Sequence, residues 1–191
     1  MAAGPGGVFA AGGPDSLPIT IRLEAPGDEP GVRRVHEAAF PGPEEAGIVE
    51  EIRRAGPAGW QSIVALGVTG EIVGHVLLSP CPVEDDEGER VGEVLALGPI
   101  GVLPAAQFRG VGSALMTAAM SLAMARGVPA IVLLGHPAYY PRFGFVSARS
   151  CGLEPPAQAW PDAAWMARRL PAWTEDLRGT VRYPEAFEPL A

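Results

Sequence analysis

The sequence predicts an α/β domain built on a mixed sheet, and three observations carry that prediction. Two strand-like runs, residues 62–67 and 71–79, flank Val68-Thr69-Gly70, the signature of an antiparallel hairpin. A nearly pure apolar run at residues 91–103 is followed by an uncharged helical stretch and a second apolar run at 130–134. Strand, helix and strand in that order make a right-handed crossover, so the two strands should pair in parallel.

Taken in order, residues 19–23 alternate and carry β-branched side chains, which predicts a first strand. Gly27-Asp28-Glu29-Pro30 then turns the chain into a helix over residues 32–40. Residues 46–55 place Ile48 and Ile52 at helical spacing, with Glu50, Glu51, Arg53 and Arg54 left for water. The acidic tract 84–89 reads as a solvated loop. Residues 91–103 lack alternation, as expected of a strand covered on both faces, and Gly98-Pro99 interrupts them. Proline cannot donate to a ladder, so a bulge or the end of pairing is expected there.

Residues 111–126 form a helical pattern with Val111, Leu115, Ala118 and Leu122 on one face and Met116, Met120 and Met124 on roughly the opposite one. The uncharged stretch 110–125 is too short to span a bilayer, which predicts a buried helix with its methionines under another segment. Residues 164–170 read as a further strand. Trp160, Trp165 and Trp173 are expected to bury an open sheet edge or to close a pocket.

Composition limits the function. The 191 residues fit one domain, and 48% hydrophobic residues suffice for a sizeable core, with 25 glycines and 21 prolines spread as turns. Residues 1–18 read as a disordered leader without the basic start of a signal peptide, residues 19–148 as the main domain, and 149–191 as an extension packed on it. A net charge of −8, with all 14 basic residues being scattered arginines, argues against nucleic acid as a partner. No membrane partner is expected. Cys81 and Cys151 stand in no metal-like or redox-like spacing, and His36, His75 and His136 are isolated in sequence; no metal site is expected. Reduced thiols fit a cytoplasmic protein.

The most informative segment is Gln107-Phe108-Arg109-Gly110-Val111-Gly112-Ser113, between the interrupted strand and the uncharged helix. Glycines there let main chain approach a ligand, and the first N–H groups of a helix lack intrahelical partners, so the turn suits a phosphate. A P-loop would need a lysine, and the chain has none. A dinucleotide fingerprint would need a third glycine where Leu115 stands.

The remaining pattern, Gln107-x-x-Gly110-x-Gly112, resembles the pyrophosphate loop of the GNAT superfamily of N-acetyltransferases. Tyr139-Tyr140-Pro141-Arg142-Phe143-Gly144-Phe145 is similar to that family's aromatic-Tyr-x-x-x-Gly-Phe segment. Gly135-His136-Pro137 with Val181-Arg182-Tyr183-Pro184 resembles a bacterial subgroup of unassigned substrate. The resemblance implies a mainly antiparallel sheet splayed at a central parallel pair, with helices on both faces. It implies acetyl-CoA as co-substrate, its pyrophosphate on the amides of Phe108, Arg109, Gly110, Val111, Gly112 and Ser113 behind Gln107, and its pantetheine arm along the backbone of Ile100, Gly101 and Val102. Tyr140 is implied as the donor to the leaving sulfur.

The family often places a carboxylate in the middle of the central strand, but residues 94–103 contain none, which leaves Glu93, His136 or a water chain as bases. The family's frequent Asn after the fifth strand is replaced by Gly135 or His136. The implied activity is acetyl transfer to a primary amine of unknown identity, the alternative being a non-catalytic acyl-CoA-binding or regulatory module. A homodimer stays open.

Overall fold

The computed structural model describes residues 16–190, so the expected leader lies outside the described residues up to position 15. The elements in chain order are β1 (Thr20–Leu23), α1 (Glu29–Ala39), α2 (Glu44–Ala55), β2 (Gln61–Leu66), β3 (Ile72–Glu84), β4 (Arg90–Val102), α3 (Val111–Ala125), β5 (Ala130–Leu134), β6 (Val146–Ser147), β7 (Leu153–Glu154), β8 (Trp165–Arg169) and β9 (Gly179–Val181). The long strands and all three helices fall on the predicted segments, with β3 running five residues further and α1 starting three residues earlier. The strands β6, β7 and β9, of two or three residues each, were not predicted, because so short a segment shows no alternation.

The chain forms two compact units. The first takes residues up to 50 together with 61–77 and 99–119; the second takes 51–60, 78–98 and 120 onward. In the first unit β1 runs antiparallel to β2, from Thr20↔Leu66 to Leu23↔Ile63, and β2 lies beside β3. The Val68-Thr69-Gly70 turn is closed by bonds from the Gly70 N–H to the Gly67 carbonyl at 3.1 Å and from the Gly67 N–H to the Glu71 carbonyl at 2.8 Å. Helix α1 begins three residues earlier than predicted, because Pro30 falls in its first turn, where a fixed φ fits and a missing N–H costs nothing. Val32, Val35 and His36 form its buried stripe. Arg22 holds the segment before it by an ion pair to Asp28, whose carboxyl it keeps below the usual range.

In the second unit β3 and β4 meet in a hairpin. The acidic tract is the exposed turn of that hairpin: β3 runs on to Glu84, and Asp85 closes the turn by accepting the N–H groups of Glu87 (3.1 Å) and Glu89 (2.8 Å). β4 pairs in parallel with β5 at Leu95↔Ile131 and Ala96↔Val132, as the crossover rule requires. β8 pairs antiparallel with all of β5, and β6 with β8. β9 joins β3 antiparallel at Val83↔Val181 and carries β7 in parallel at Leu153↔Gly179. The sheet is therefore mixed and mostly antiparallel. The tail strands supply core as well as edge cover: Trp160 and Trp165 lie with Val94, Ala130, Leu153 and Val181 in one buried cluster, and the Trp165 indole donates to the Leu153 carbonyl at 2.9 Å.

Helix α3 departs from its predicted faces. Leu115, Met116 and Met120 are all buried, Ala118 and Leu122 are half-buried, and Met124 is exposed. The buried arc runs between the two predicted faces, so two of the three methionines fill core.

Burial in the second unit makes alkaline pH destabilising. Desolvation pushes the Cys81 thiol up to about 12 from an ordinary value near 9, and Tyr140 up to about 12 from near 10. Above pH 9 the unfolded chain binds fewer protons than the folded one, so stability falls as pH rises, by up to about 1.4 kcal/mol per pH unit for each group between its unfolded and folded values. Between pH 9 and 10 Cys81 carries the slope. Denaturant titrations are expected to show a decline in that window that Cys81→Ala flattens; an equal decline in the variant would contradict the assignment.

Candidate active site

The site is built where regular pairing stops. The β4–β5 ladder ends at Ala96↔Val132, and two residues later Gly98 has φ +151°, a conformation that side chains other than glycine rarely adopt. Pro99 follows and has no N–H to give. The strand nevertheless runs on unbroken through Ile100, Gly101 and Val102, and on one edge the Leu103 N–H bonds the Val73 carbonyl at 2.9 Å.

Beyond β4 a single 3₁₀ turn, Pro104–Ala106, leads to Gln107, whose side-chain amide donates to the Val102 carbonyl at 3.1 Å and so fixes the turn to the strand it leaves. Phe108 then takes φ +60° with its ring in water, and Gly110 takes φ +83°. Two left-handed residues spaced around Arg109 curl the backbone into a concave loop, and the Arg109 carbonyl is held by the Leu17 N–H at 3.2 Å. The Ala114 N–H reaches the Gly110 carbonyl at 3.0 Å, so the N–H groups of Val111, Gly112 and Ser113 precede the first intrahelical bond of α3. Loop and helix start therefore offer main-chain donors with the positive end of a helix dipole behind them. All ten sequence-predicted ligand-binding positions, Ile100 to Val102 and Gln107 to Ser113, lie on this one stretch of the first unit.

Tyr140 lies in the second unit, at the start of a 3₁₀ turn, Tyr140–Phe143, capped by Gly144 at φ +80°. Arg168 on β8 donates to the Phe143 carbonyl and anchors that turn. The Tyr140 ring packs edge-on against Tyr139 at 5.1 Å and Phe145 at 5.8 Å between centroids. It also lies across Gly135: a Cβ placed there would come within 2.2 Å of the Tyr140 ring. That contact leaves no room for a side chain at position 135 unless the Tyr140 ring moves. Half-burial holds the phenol protonated, with its pKa at about 12.

The two named base candidates both belong to the second unit and both reach solvent. Glu93 is 40% exposed and engaged by Arg90 at 2.6 Å, and His136 is exposed with its Nδ1 near the Ala138 N–H at 3.4 Å. The two histidines read as isolated are instead in contact. His36 Nε2 lies 2.7 Å from His75 Nδ1, His75 Nε2 lies 2.7 Å from Ser62 Oγ, and Ser62 donates to Glu24. Spacing of 39 residues hides the pair. The available signal was positional: His36 falls on the Val32 and Val35 stripe, and His75 sits inside the apolar run of β3.

Among the described residues no group of three or more His, Cys, Asp or Glu side chains could hold a metal ion, and no helix is long and apolar enough to cross a membrane.

Comparison with known proteins agrees with this geometry. The profile of the acetyltransferase (GNAT) family matches residues 30–145, from α1 to the end of the Tyr140 block. The uncharacterized N-acetyltransferase YhbS of Escherichia coli K12 is 30% identical over 175 residues, covering 88% of this chain and 98% of its own. The crystal structure of Escherichia coli YhbS in complex with CoA superposes with a TM-score of 0.78 at 28% identity, over 90% of this chain and 93% of that one. A GNAT-family acetyltransferase from Brucella melitensis in complex with acetyl-CoA gives 0.71 at 30% identity, over 89% and 98%. The chain belongs to the GNAT family and is an acetyltransferase of the N-acetyltransferase type.

The packing of Tyr140 on Gly135 yields a test. Gly135→Ala is expected to displace the ring and alter near-ultraviolet circular dichroism from the aromatic cluster while far-ultraviolet dichroism stays unchanged. An unperturbed near-ultraviolet spectrum would show that the ring does not need the vacant Cβ position.

Proposed function

We propose that the protein transfers the acetyl group of acetyl-CoA to a primary amine by direct attack of the amine on the thioester. The observation that carries this reading is the continuous main-chain surface from residue 100 to residue 113, which offers an open strand segment and then an anion cradle. In this reading the amides of Phe108, Arg109, Gly110, Val111, Gly112 and Ser113 hold the pyrophosphate, with Gln107 fixing the loop. The pantetheine arm adds to Ile100, Gly101 and Val102 as an extra strand. Running from cradle to strand, this order puts the thioester toward Gly98 and Pro99. A backbone N–H beside the bulge there serves the negative charge that develops on the thioester oxygen.

Tyr140 is the proposed donor to the departing sulfur, and magnitudes set how it acts. A phenol with pKa about 12 is loaded with its proton at every assay pH. Handing that proton completely to a thiolate with a pKa of about 8.5 would run uphill, so Tyr140 stabilises the leaving sulfur mainly as a hydrogen-bond donor. Positioning supplies more of the acceleration than acid catalysis does.

We read residues 19–148 as the acetyltransferase domain with 149–191 packed on it, acting in the cytoplasm, where the unpaired buried thiols Cys81 and Cys151 stay reduced. A non-catalytic acyl-CoA-binding module is the second reading, favoured by one observation: the central strand from Val94 to Leu97 is wholly apolar and buried.

Three measurements test these assignments. With acetyl-CoA and a panel of primary amines, free thiol is expected to appear with at least one amine; calorimetric binding of acetyl-CoA without thiol release across the panel would favour the module. Tyr140→Phe is expected to lower turnover about 10- to 100-fold, and unchanged turnover would remove Tyr140 from the mechanism. Replacing Gly110 and Gly112 together by Val is expected to abolish acetyl-CoA binding in a folded protein, since φ +83° at Gly110 excludes a β-branched residue. Retained micromolar affinity would contradict the cradle.

A further inference from the structure

Among the described residues Phe108 is the only exposed Phe, Tyr or Trp side chain, at 103% relative exposure; the other exposed large apolar side chains, none of them aromatic, keep between 41% and 72%. It is also the only non-glycine residue there with a positive φ, at +60°. A Cβ in the left-handed region crowds the following carbonyl, so a bulky residue takes that conformation at a cost that glycine avoids and asparagine lessens. The backbone is thus strained to carry a ring left wholly in water. Packing gains nothing from that ring, and strain kept without a packing return points to a ligand.

The strained residue is held from both sides. The Gln107 side-chain amide donates to the Val102 carbonyl at 3.1 Å, and the Arg109 carbonyl accepts the Leu17 N–H at 3.2 Å. Just beyond, the Ala114 N–H on the Gly110 carbonyl at 3.0 Å starts α3. Phe108 therefore stands between fixed points of the first unit. The rest of the loop offers no comparable surface: Gly110 and Gly112 have no side chain, Val111 is buried, and Gln107 is turned to the strand. Arg109 and Ser113 are exposed but polar.

We propose that the Phe108 ring is the stacking surface for the adenine base of acetyl-CoA. The proposal rests on the reading of residues 108–113 as the pyrophosphate cradle. In acetyl-CoA one phosphate of that pyrophosphate carries the pantetheine arm, and the other carries the adenosine, whose base is a single ribose away. With the arm laid along Ile100 to Val102, the adenosine is the half that remains at the loop, and its base comes to rest within a ribose of the amides. Phe108 supplies the first of those amides and the one flat apolar face beside them. A purine and a phenyl ring in contact withdraw apolar surface from water on both partners, and the contact needs no hydrogen-bond pattern. The ring takes no part in bond making: it adds affinity for the co-substrate and leaves the thioester chemistry to other groups. The left-handed backbone at Phe108 is then what keeps the ring out of the fold and free for the base.

Two readouts test the stacking surface on the full chain. In the complex with acetyl-CoA, nuclear Overhauser effects are expected between adenine H2 or H8 and the Phe108 ring, whose signals are identified by their loss in Phe108→Leu. Bound acetyl-CoA without such contacts would overturn the proposal while leaving the cradle standing. By calorimetry Phe108→Leu, which keeps apolar bulk but has no π-face, is expected to weaken acetyl-CoA binding about 5- to 100-fold. S-acetyl-4′-phosphopantetheine, which lacks the adenosine, is expected to bind wild type and variant within about threefold of each other. An equal loss for both ligands would mean that the ring shapes the loop, and no loss for acetyl-CoA would mean that the base lies elsewhere; either result overturns the proposal. Phe108→Asn, better suited to the backbone, is expected to lose similar affinity while its denaturation midpoint holds or rises. A lowered midpoint would give the ring a structural role and contradict the stacking surface. A wild type that binds no acetyl-CoA would overturn cradle and stacking surface together.

Discussion

Everything distinctive about the site follows from the end of β4's pairing with β5 at Gly98-Pro99, inside a strand that itself runs unbroken from Arg90 to Val102. A strand covered on both faces has no reason to leave its main chain open, and in this protein Gly98 at φ +151° followed by Pro99 gives it one. The parallel ladder with β5 ends just before Gly98, at Ala96↔Val132, although β5 continues to Leu134. Past Pro99 the strand continues with one edge bonded to β3. A ligand with an amide-bearing arm can use the rest. The turn from Gln107 to Ser113 is tied to the end of that same strand by the Gln107 to Val102 hydrogen bond, so cradle and strand edge are held in one register.

The second unit uses its core to hold Tyr140, the side chain proposed as donor to the leaving sulfur. Tyr140 is wedged between Tyr139, Phe145 and the bare backbone of Gly135, and its turn is anchored by Arg168. These partners come from β8 and the segment between β5 and β8. The tail beyond residue 149 thus does more than cover an edge: β8 carries the arginine that fixes the donor's turn, and Trp165 on the same strand is fully buried. Rigid supports of this kind keep a donor within the small displacement that acid–base and hydrogen-bond catalysis tolerates.

Much of this was legible in the chain itself, and the exceptions have physical causes. The end of pairing with β5 is written in Gly98-Pro99, and the proposed cradle in Gly110 and Gly112, because these residues have few other uses inside a buried strand and at a helix start. Strand β3 was predicted to stop at Ser79 but runs to Glu84, since Pro80 and Pro82 fall at positions that the pairing tolerates. The faces of α3 were misassigned because a stretch almost wholly Ala, Leu, Met and Gly has little contrast between sides. The coupling of His36 to His75 was out of reach, for it depends on α1 settling over β3, a tertiary event that no local periodicity encodes.

The central claim is that residues 100–113 form one ligand surface. Amide hydrogen exchange of the full chain with and without saturating acetyl-CoA reads it most directly. The account predicts new protection at Ile100 to Val102 and at Phe108 to Ser113 together, with Tyr139 to Phe145 responding less. Protection confined to other segments, or to the loop without the strand, would contradict it.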